Sequence, residues 1–182
     1  MAAAKRKKRF YNVEMPLINK TTQLQGYEVK DLDNKYIKYD LTRILKGKSS
    51  ILTMKTKVVE DNVVTSPHEF RLMPYFLRRM VRRGTNYVED SFSTQAKDTQ
   101  IRIKPFLVTR RKVSRAVRKA LRNKAREELI AWAKDLESTQ MFEEVLKNKI
   151  QKELSIKLKK IYPLSLCEIR VLKVETTDQQ TA

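Results

Sequence analysis

RIKPFLVTRRKVSRAVRKALRNKAR, residues 102 to 126, carries eleven Lys or Arg and not one Asp or Glu. Its opening alternates: Ile101, Ile103, Pro105 and Leu107 interleave with Arg102, Lys104, Phe106 and Val108. That period of two predicts a strand. Pro105 cannot donate to a ladder, so the strand takes an edge position or bulges there. Past Thr109 the period changes to that of a helix. At about 100° per residue, Arg111, Arg115, Arg118, Arg122 and Arg126 fall in one stripe, with Val113, Ala116, Val117, Ala120 and Leu121 on the opposite side. Such a helix docks by its apolar strip and points its charges at a polyanion. A charged face is ordinarily solvated surface. Here the opposite charges that would pair along it are missing, and like neighbours repel by roughly a few tenths of a kcal/mol each, which favours the polyanion. Further along, Glu127, Glu128, Asp135 and Glu137 appear beside Leu129, Ile130, Trp132 and Leu136. This half is expected to pack inward, with Trp132 a core anchor rather than a base-stacking residue.

The whole chain has the same bias. Its 182 residues suit one domain, and 40 Lys plus Arg against 21 Asp plus Glu give a net charge of +19 and a pI near 10.1. Nucleic acid is the partner that such a balance calls for. A hydrophobic content of 41% argues that most of the chain folds. Cys167 is the lone cysteine and His68 the lone histidine, which excludes an internal disulfide and a His/Cys metal cluster and suits a reducing, intracellular setting. No stretch approaches the roughly 18 apolar residues of a membrane span. The KRKKR run in MAAAKRKKRF has no apolar stretch behind it, and we read it as an RNA-binding arm rather than a secretory signal or a nuclear address.

Taken in order, residues 1–9 are expected to be a basic arm, disordered unless RNA-bound, and residues 10–35 an extended, irregular segment lying on the domain. Residues 36–174 are expected to form a single α+β RNA-binding domain. Its first strand holds Ile37, Tyr39 and Leu41, and its second runs from Ser50 to Val59 with Leu52, Met54, Thr56 and Val58 on one face. Val63 to Thr65 returns as a hairpin partner, closed by Ser66-Pro67. A short helix from about Pro74 to Arg83 follows. Of its arginines Arg78, Arg79, Arg82 and Arg83, one or two would satisfy the helix dipole, and four suggest phosphate as well. Tyr87 to Gln95 and Thr99 to Thr109 make a second antiparallel hairpin. Gln140 to Ile161 is helical, as one helix or two, and Leu164 to Val174 is a last strand in which Cys167 is a small buried hydrophobe. Residues 175–182 are expected to be a disordered tail.

No catalytic residue, metal ligand or cofactor motif emerges. There is no Walker loop, dinucleotide fingerprint, zinc spacing or nucleophile elbow, and the adjacent pairs Glu89-Asp90 and Glu127-Glu128 point in different directions. His68 beside a proline reads as a surface-loop residue. The expected RNA-binding cations are Lys5, Arg6, Lys7, Lys8, Arg9, Arg78, Arg79, Arg82, Arg83, Arg102, Lys104, Arg110, Arg111, Lys112, Arg115, Arg118, Lys119, Arg122, Lys124 and Arg126.

The order of parts resembles a small-ribosomal-subunit protein family of archaea and eukaryotes, numbered one in the unified nomenclature and formerly called three-a. The resemblance is carried by KRFYNVEMP, DLTRILKGKSSILTMKTKVVEDN, MVRRGTNYVEDSF through QIRIKPFLVTRRKVSRAVRKALR, and KKIYPLSLCEIRVLKVE. Pro105 inside a strand and Pro163 between helix and strand are its more specific marks. The chain departs from the family at residues 68–76, HEFRLMPYF, where a second Gly-x-Asp-Leu-Thr-Arg-Asp motif is usual. It lacks the long extensions of eukaryotic members and reads as a compact archaeal or reduced version. The resemblance implies a mixed α+β fold whose antiparallel sheet of hairpins is curled or barrel-like, with a long basic helix, further C-terminal helices, a final strand and an extended N-terminal arm. It also implies a structural, non-enzymatic role on the platform of the small subunit, near the 3′ end of its rRNA and the mRNA exit. Partners would be small-subunit rRNA, neighbouring small-subunit proteins and mRNA near the exit, in the cytoplasm, with no membrane and no homo-oligomer. The alternative that uses the same charges is a free-standing RNA chaperone or ribosome maturation factor.

Overall fold

Strand β1 (Arg9–Met15) alternates until Val13 and Met15 are fully covered, and β2 (Lys20–Gly26) returns antiparallel to it, with Arg9 opposite Gly26 and Met15 opposite Lys20. A one-turn 3-10 helix, Pro16–Ile18, and Asn19 at φ 49° make the turn between them. This is the first departure from expectation: within residues 10–35, expected to be irregular, the part up to Gly26 is a hairpin, followed by a 3-10 helix at Val29–Leu32. The buried Val13 and Met15 reward pairing, which composition alone concealed. The computed structural model describes residues 7–60 and 62–175. Expectations for Lys5, Arg6 and the tail beyond 175 fall outside the described residues.

The chain divides into two compact units. One holds the residues up to Tyr39 with Thr53–His68, and the other holds Asp40–Leu52 with the residues from Glu69 on. In the first unit β1 also pairs in parallel with β5 (Asn62–Leu72), Val13 against Val63. Val13, Leu32 and Val63 form its core, with Tyr11, Leu24, Val29, Ile37 and Val58 packed around them. Thr56 is fully buried in β4 (Ser50–Val59), where its hydroxyl donates to the Leu32 carbonyl at 2.5 Å. The remaining strand, β3 (Tyr36–Asp40), pairs with β4.

Pro67 does not end β5, which continues to Leu72. A proline removes one donor without abolishing extended backbone. Across it the buried positions change phase, from Val63 and Thr65 to Phe70 and Leu72. His68 is therefore a half-buried strand residue, with its ring centroid 4.9 Å from that of Tyr36, and not part of a surface loop.

The second unit is built on β8 (Gln100–Thr109), paired antiparallel with β9 (Leu164–Glu175) along its length and with β7 (Phe92–Gln95) and β6 (Tyr87–Glu89) on its other side. The register slips between Lys104 and Pro105, so the proline sits at a bulge within a central strand. Helices α2 (Arg115–Lys134), α3 (Ser138–Leu146) and α4 (Lys149–Leu158) bury Leu121, Leu129, Phe142, Val145, Leu154 and Leu158. Asn148, at φ 56°, separates α3 from α4. Helix α1 (Pro74–Met80) stops three residues earlier than expected. Arg82 and Arg83 lie in a turn where Gly84 takes φ 83° and the Thr85 hydroxyl donates to the Arg82 carbonyl at 2.7 Å. Only Arg78 and Arg79 thus sit in the last helical turn, where the helix dipole favours a cation.

Strand pairing follows an open path, β2-β1-β5-β9-β8-β6. The fold is mixed α+β as expected, but the expected curled or barrel-like antiparallel sheet is corrected on two points. It does not close among the described residues, and it contains the parallel β1/β5 pair. Closure requires the last strand to pair with the first, and the path ends on β6, a strand of three residues.

Cys167 lies half-buried on β9. Burial, with the Glu168 carboxylate beside it, pushes its thiol up to about 12 against an opposing effect of the Lys48 ammonium. A rise of about three units lowers the thiolate fraction about a thousandfold, and the greater nucleophilicity of a high-pKa thiolate recovers about 15- to 30-fold. Iodoacetamide should therefore alkylate the folded protein at pH 8 at least about thirtyfold more slowly than the urea-unfolded chain. Equal rates, followed by mass spectrometry, would contradict the burial.

Candidate nucleic-acid interface

The cationic stretch is anchored by two polar residues. Thr109, fully buried at the end of β8, donates its N–H to the Asn86 carbonyl at 2.9 Å and receives the Asn86 N–H on its hydroxyl oxygen at 3.0 Å. Asn86 Oδ1 then accepts from the Val113 N–H at 2.8 Å. This clamp fixes Arg110, Arg111 and Lys112 as an exposed turn between strand and helix. Helix α2 begins only at Arg115, where the Ser114 hydroxyl accepts from the Val117 N–H at 3.4 Å. Arg111 therefore leaves the helical stripe.

The face that docks α2 is Leu121, Ala125, Leu129 and Ala133, one residue per turn. Val113 and Val117 are half-buried, whereas Ala116 and Ala120, expected on the apolar side, are exposed. Alanine tolerates this because it carries little apolar area and favours the helix anyway. Trp132 is half-buried and donates from Nε1 to Glu144 Oε2 at 2.7 Å, joining α2 to α3.

The expected cations separate into two classes. Arg102 Nε lies 2.6 Å from Glu175 Oε1, and Lys104 is half-buried on the same strand. Lys124 lies 3.2 Å from Glu128 and 3.4 Å from Glu127, and the hydrogen bonds it donates to these carboxylates, Glu128 first, raise its pKa. Glu128 also receives Lys157 at 2.6 Å. That bond and the one from Lys124 hold its carboxyl below the usual range, tying α2 to α4. Arg126 lies 4.0 Å from Asp90, with its guanidinium 5.3 Å from the centre of the Phe92 ring. Arg102, Lys124 and Arg126 are thus engaged within the protein, whereas Lys104 is only partly covered. The spacing of Lys124 to Glu127 and Glu128 was visible in the sequence, but the partners of Arg102 and Arg126 come from other strands and loops.

Arg110, Arg111, Lys112, Arg115, Lys119 and Arg122 are exposed, and none makes an ion pair among the described residues. Arg118 is half-buried, and its Nε is enclosed without a hydrogen-bond partner. Arg115, Arg118, Lys119 and Arg122 line a cleft of about 730 Å³ with Tyr87, Val88, Ala116 and Asn123. Among the described residues no carboxylate lines it. The exposed Arg78, Arg79, Arg82 and Arg83 belong to the same unit. In the first unit Lys7, Lys8 and Arg9 are exposed, Lys8 lying 5.6 Å from the Tyr27 ring centre, and Arg9 already belongs to β1.

Nothing in this geometry resembles a catalytic or metal centre. Among the described residues no group of three or more His, Cys, Asp or Glu could hold a metal, and no helix is long and apolar enough to cross a membrane. What the surface offers is fixed positive charge held by a folded frame.

Comparison with known proteins gives a consistent result. The Ribosomal S3Ae family matches residues 3–178. A protein named small ribosomal subunit protein eS1 from Nanoarchaeum equitans is 30% identical over 125 residues, 68% of this chain and 63% of that one. The protein of the same name from Halorubrum lacusprofundi is 30% identical over 133 residues, covering 72% of this chain and 62% of its own length. The one from Haloarcula marismortui is 26% identical over 183 residues, 96% of this chain and 86% of its own. The matches thus span under two thirds of the length of the first two relatives and most of the third.

Proposed function

Because the chain belongs to the Ribosomal S3Ae family, we propose that it is a structural component of the small ribosomal subunit that holds rRNA by its phosphates. The observation that carries this reading is the set of cations on and before the first half of α2 that have no ion-pair partner among the described residues, fixed by the Asn86–Thr109 clamp in a chain of net charge +19. Each phosphate neutralised releases condensed counterions, so affinity is high at low salt and falls steeply as salt rises. Such contacts set position and orientation rather than read sequence. The strands and C-terminal helices keep the charges in register, and no residue acts as a catalyst.

Within the subunit, the place that fits is the platform near the rRNA 3′ end and the mRNA exit, with neighbouring small-subunit proteins on other faces and mRNA within reach. The protein acts there as a single copy, in the cytoplasm. The test is sedimentation of a native lysate through a high-salt sucrose gradient, following the protein by mass spectrometry beside the small-subunit rRNA. Stoichiometric retention on mature subunits is expected. Release to the top of the gradient, or residence only on immature particles, would overturn it in favour of a maturation factor.

A further inference from the structure

Tyr87 stands where two differently lined clefts meet. The residue is 54% exposed and its ring stacks on Phe106, with centroids 6.0 Å apart and planes 21° from parallel. One cleft is the cationic one beside α2. The other, about 440 Å³, is mostly apolar, walled by Pro74, Leu77, Val81 and Phe106, with Arg78 and the Glu89–Arg170 ion pair (3.1 Å) also lining it. Tyr87 lines both. An exposed aromatic backed by a second ring, with charge on one side and an apolar recess on the other, matches the two halves of a nucleotide.

We propose that this is a subsite for single-stranded RNA, in which one unpaired base turns out over the Tyr87 ring and the flanking phosphates lie against Arg115, Arg118 and Arg122. The proposal rests on the rRNA-binding reading above and adds to it a strand state and a contact to a base. Arg118 lines the cationic cleft beside Tyr87 and meets no carboxylate among the described residues, and a phosphate oxygen is the acceptor suited to a guanidinium. An acidic protein segment would answer the charge but leave the tyrosine face and the apolar recess without a role. A duplex would keep its bases stacked and reach only the cations.

The test uses the full chain and a twelve-nucleotide single-stranded RNA with one 2-aminopurine, whose fluorescence falls on stacking. An RNA duplex of equal length and polyglutamate serve as competitors. The single strand is expected to bind in preference to both, with quenching. Tyr87→Phe keeps the quenching. Tyr87→Ala loses it together with about 5- to 150-fold in affinity, at an unchanged salt slope. Should Tyr87→Ala fail to fold, Arg118→Gln with Arg122→Gln provides a second arm: it flattens the salt slope by about 1.4 and leaves quenching at saturation intact. Quenching by Tyr87→Ala equal to the unmodified protein, or preference for polyglutamate, overturns the subsite. If steep, salt-dependent binding to small-subunit rRNA persists in that case, the rRNA reading survives. Failure of the unmodified protein to bind either strand state overturns both.

Discussion

Replacing Arg115, Arg118 and Arg122 together by Gln is expected to weaken binding to small-subunit rRNA about a thousandfold near 0.1 M salt, at about 1.5 kcal/mol for each lost charge-assisted contact. The slope of log affinity against log salt should fall by about two to three. Filter binding across a salt series measures both. The melting temperature should hold or rise slightly. Arg115 and Arg122 are exposed and unpaired among the described residues, and removing neighbouring cations relieves repulsion along α2. Arg118 contributes some packing as the half-buried member, so its single Gln variant is the control. A loss of stability that matches the loss of affinity would return the stripe to a structural role. Exchanging Arg102 instead should barely move the salt slope, because Glu175 already neutralises it at 2.6 Å.

The second large effect concerns stability. Lys48 Nζ lies 2.5 Å from Glu168 Oε2 and 2.8 Å from Asn148 Oδ1, with the two charged side chains only 10% and 14% exposed. The ammonium thereby joins the loop before β4, the α3–α4 junction and β9. Lys48→Ala would leave the Glu168 carboxylate largely buried and uncompensated, which costs about 3–5 kcal/mol. The urea midpoint should fall accordingly, with an unchanged m-value. Glu168→Gln should cost less, since an amide oxygen still accepts from Lys48. The double exchange Lys48→Met with Glu168→Leu should recover most of the loss, because it removes both desolvation penalties at once. A single Lys48→Ala variant as stable as the unmodified protein would show that the pair is held apart by water.

Local periodicity explains what could be read without a structure. Ile101 and Ile103 alternate with Arg102 and Lys104, and β8 is a strand; Pro105 demanded an edge or a bulge, and a bulge is there. The three-to-four-residue spacing of apolar groups in α2, α3 and α4 likewise announced helices. Expectations failed where a signal was weak or interrupted. Val13 and Met15 are too few to advertise a strand among polar neighbours, and Pro67 looked terminal although extended backbone accommodates it. Ala116 and Ala120 satisfied an apolar pattern without having the area to be buried.

The sequence by itself determined the charge, the alternation of strand and helix, the absence of any recognisable catalytic motif and the segments that place the chain in its family. Those are properties of composition and of neighbours within a turn or two, where the geometry is common to all chains. Only the tertiary structure decided which cations are spent. Arg102 meets a carboxylate 73 positions away and Lys48 one 120 positions away, whereas Arg115, Arg118 and Arg122 meet none among the described residues. The same fold set Tyr87 beside them. An ion pair forms wherever folding brings opposite charges within a few ångströms, and beyond a turn or two of helix the separation of two residues along the chain carries almost no information about that distance.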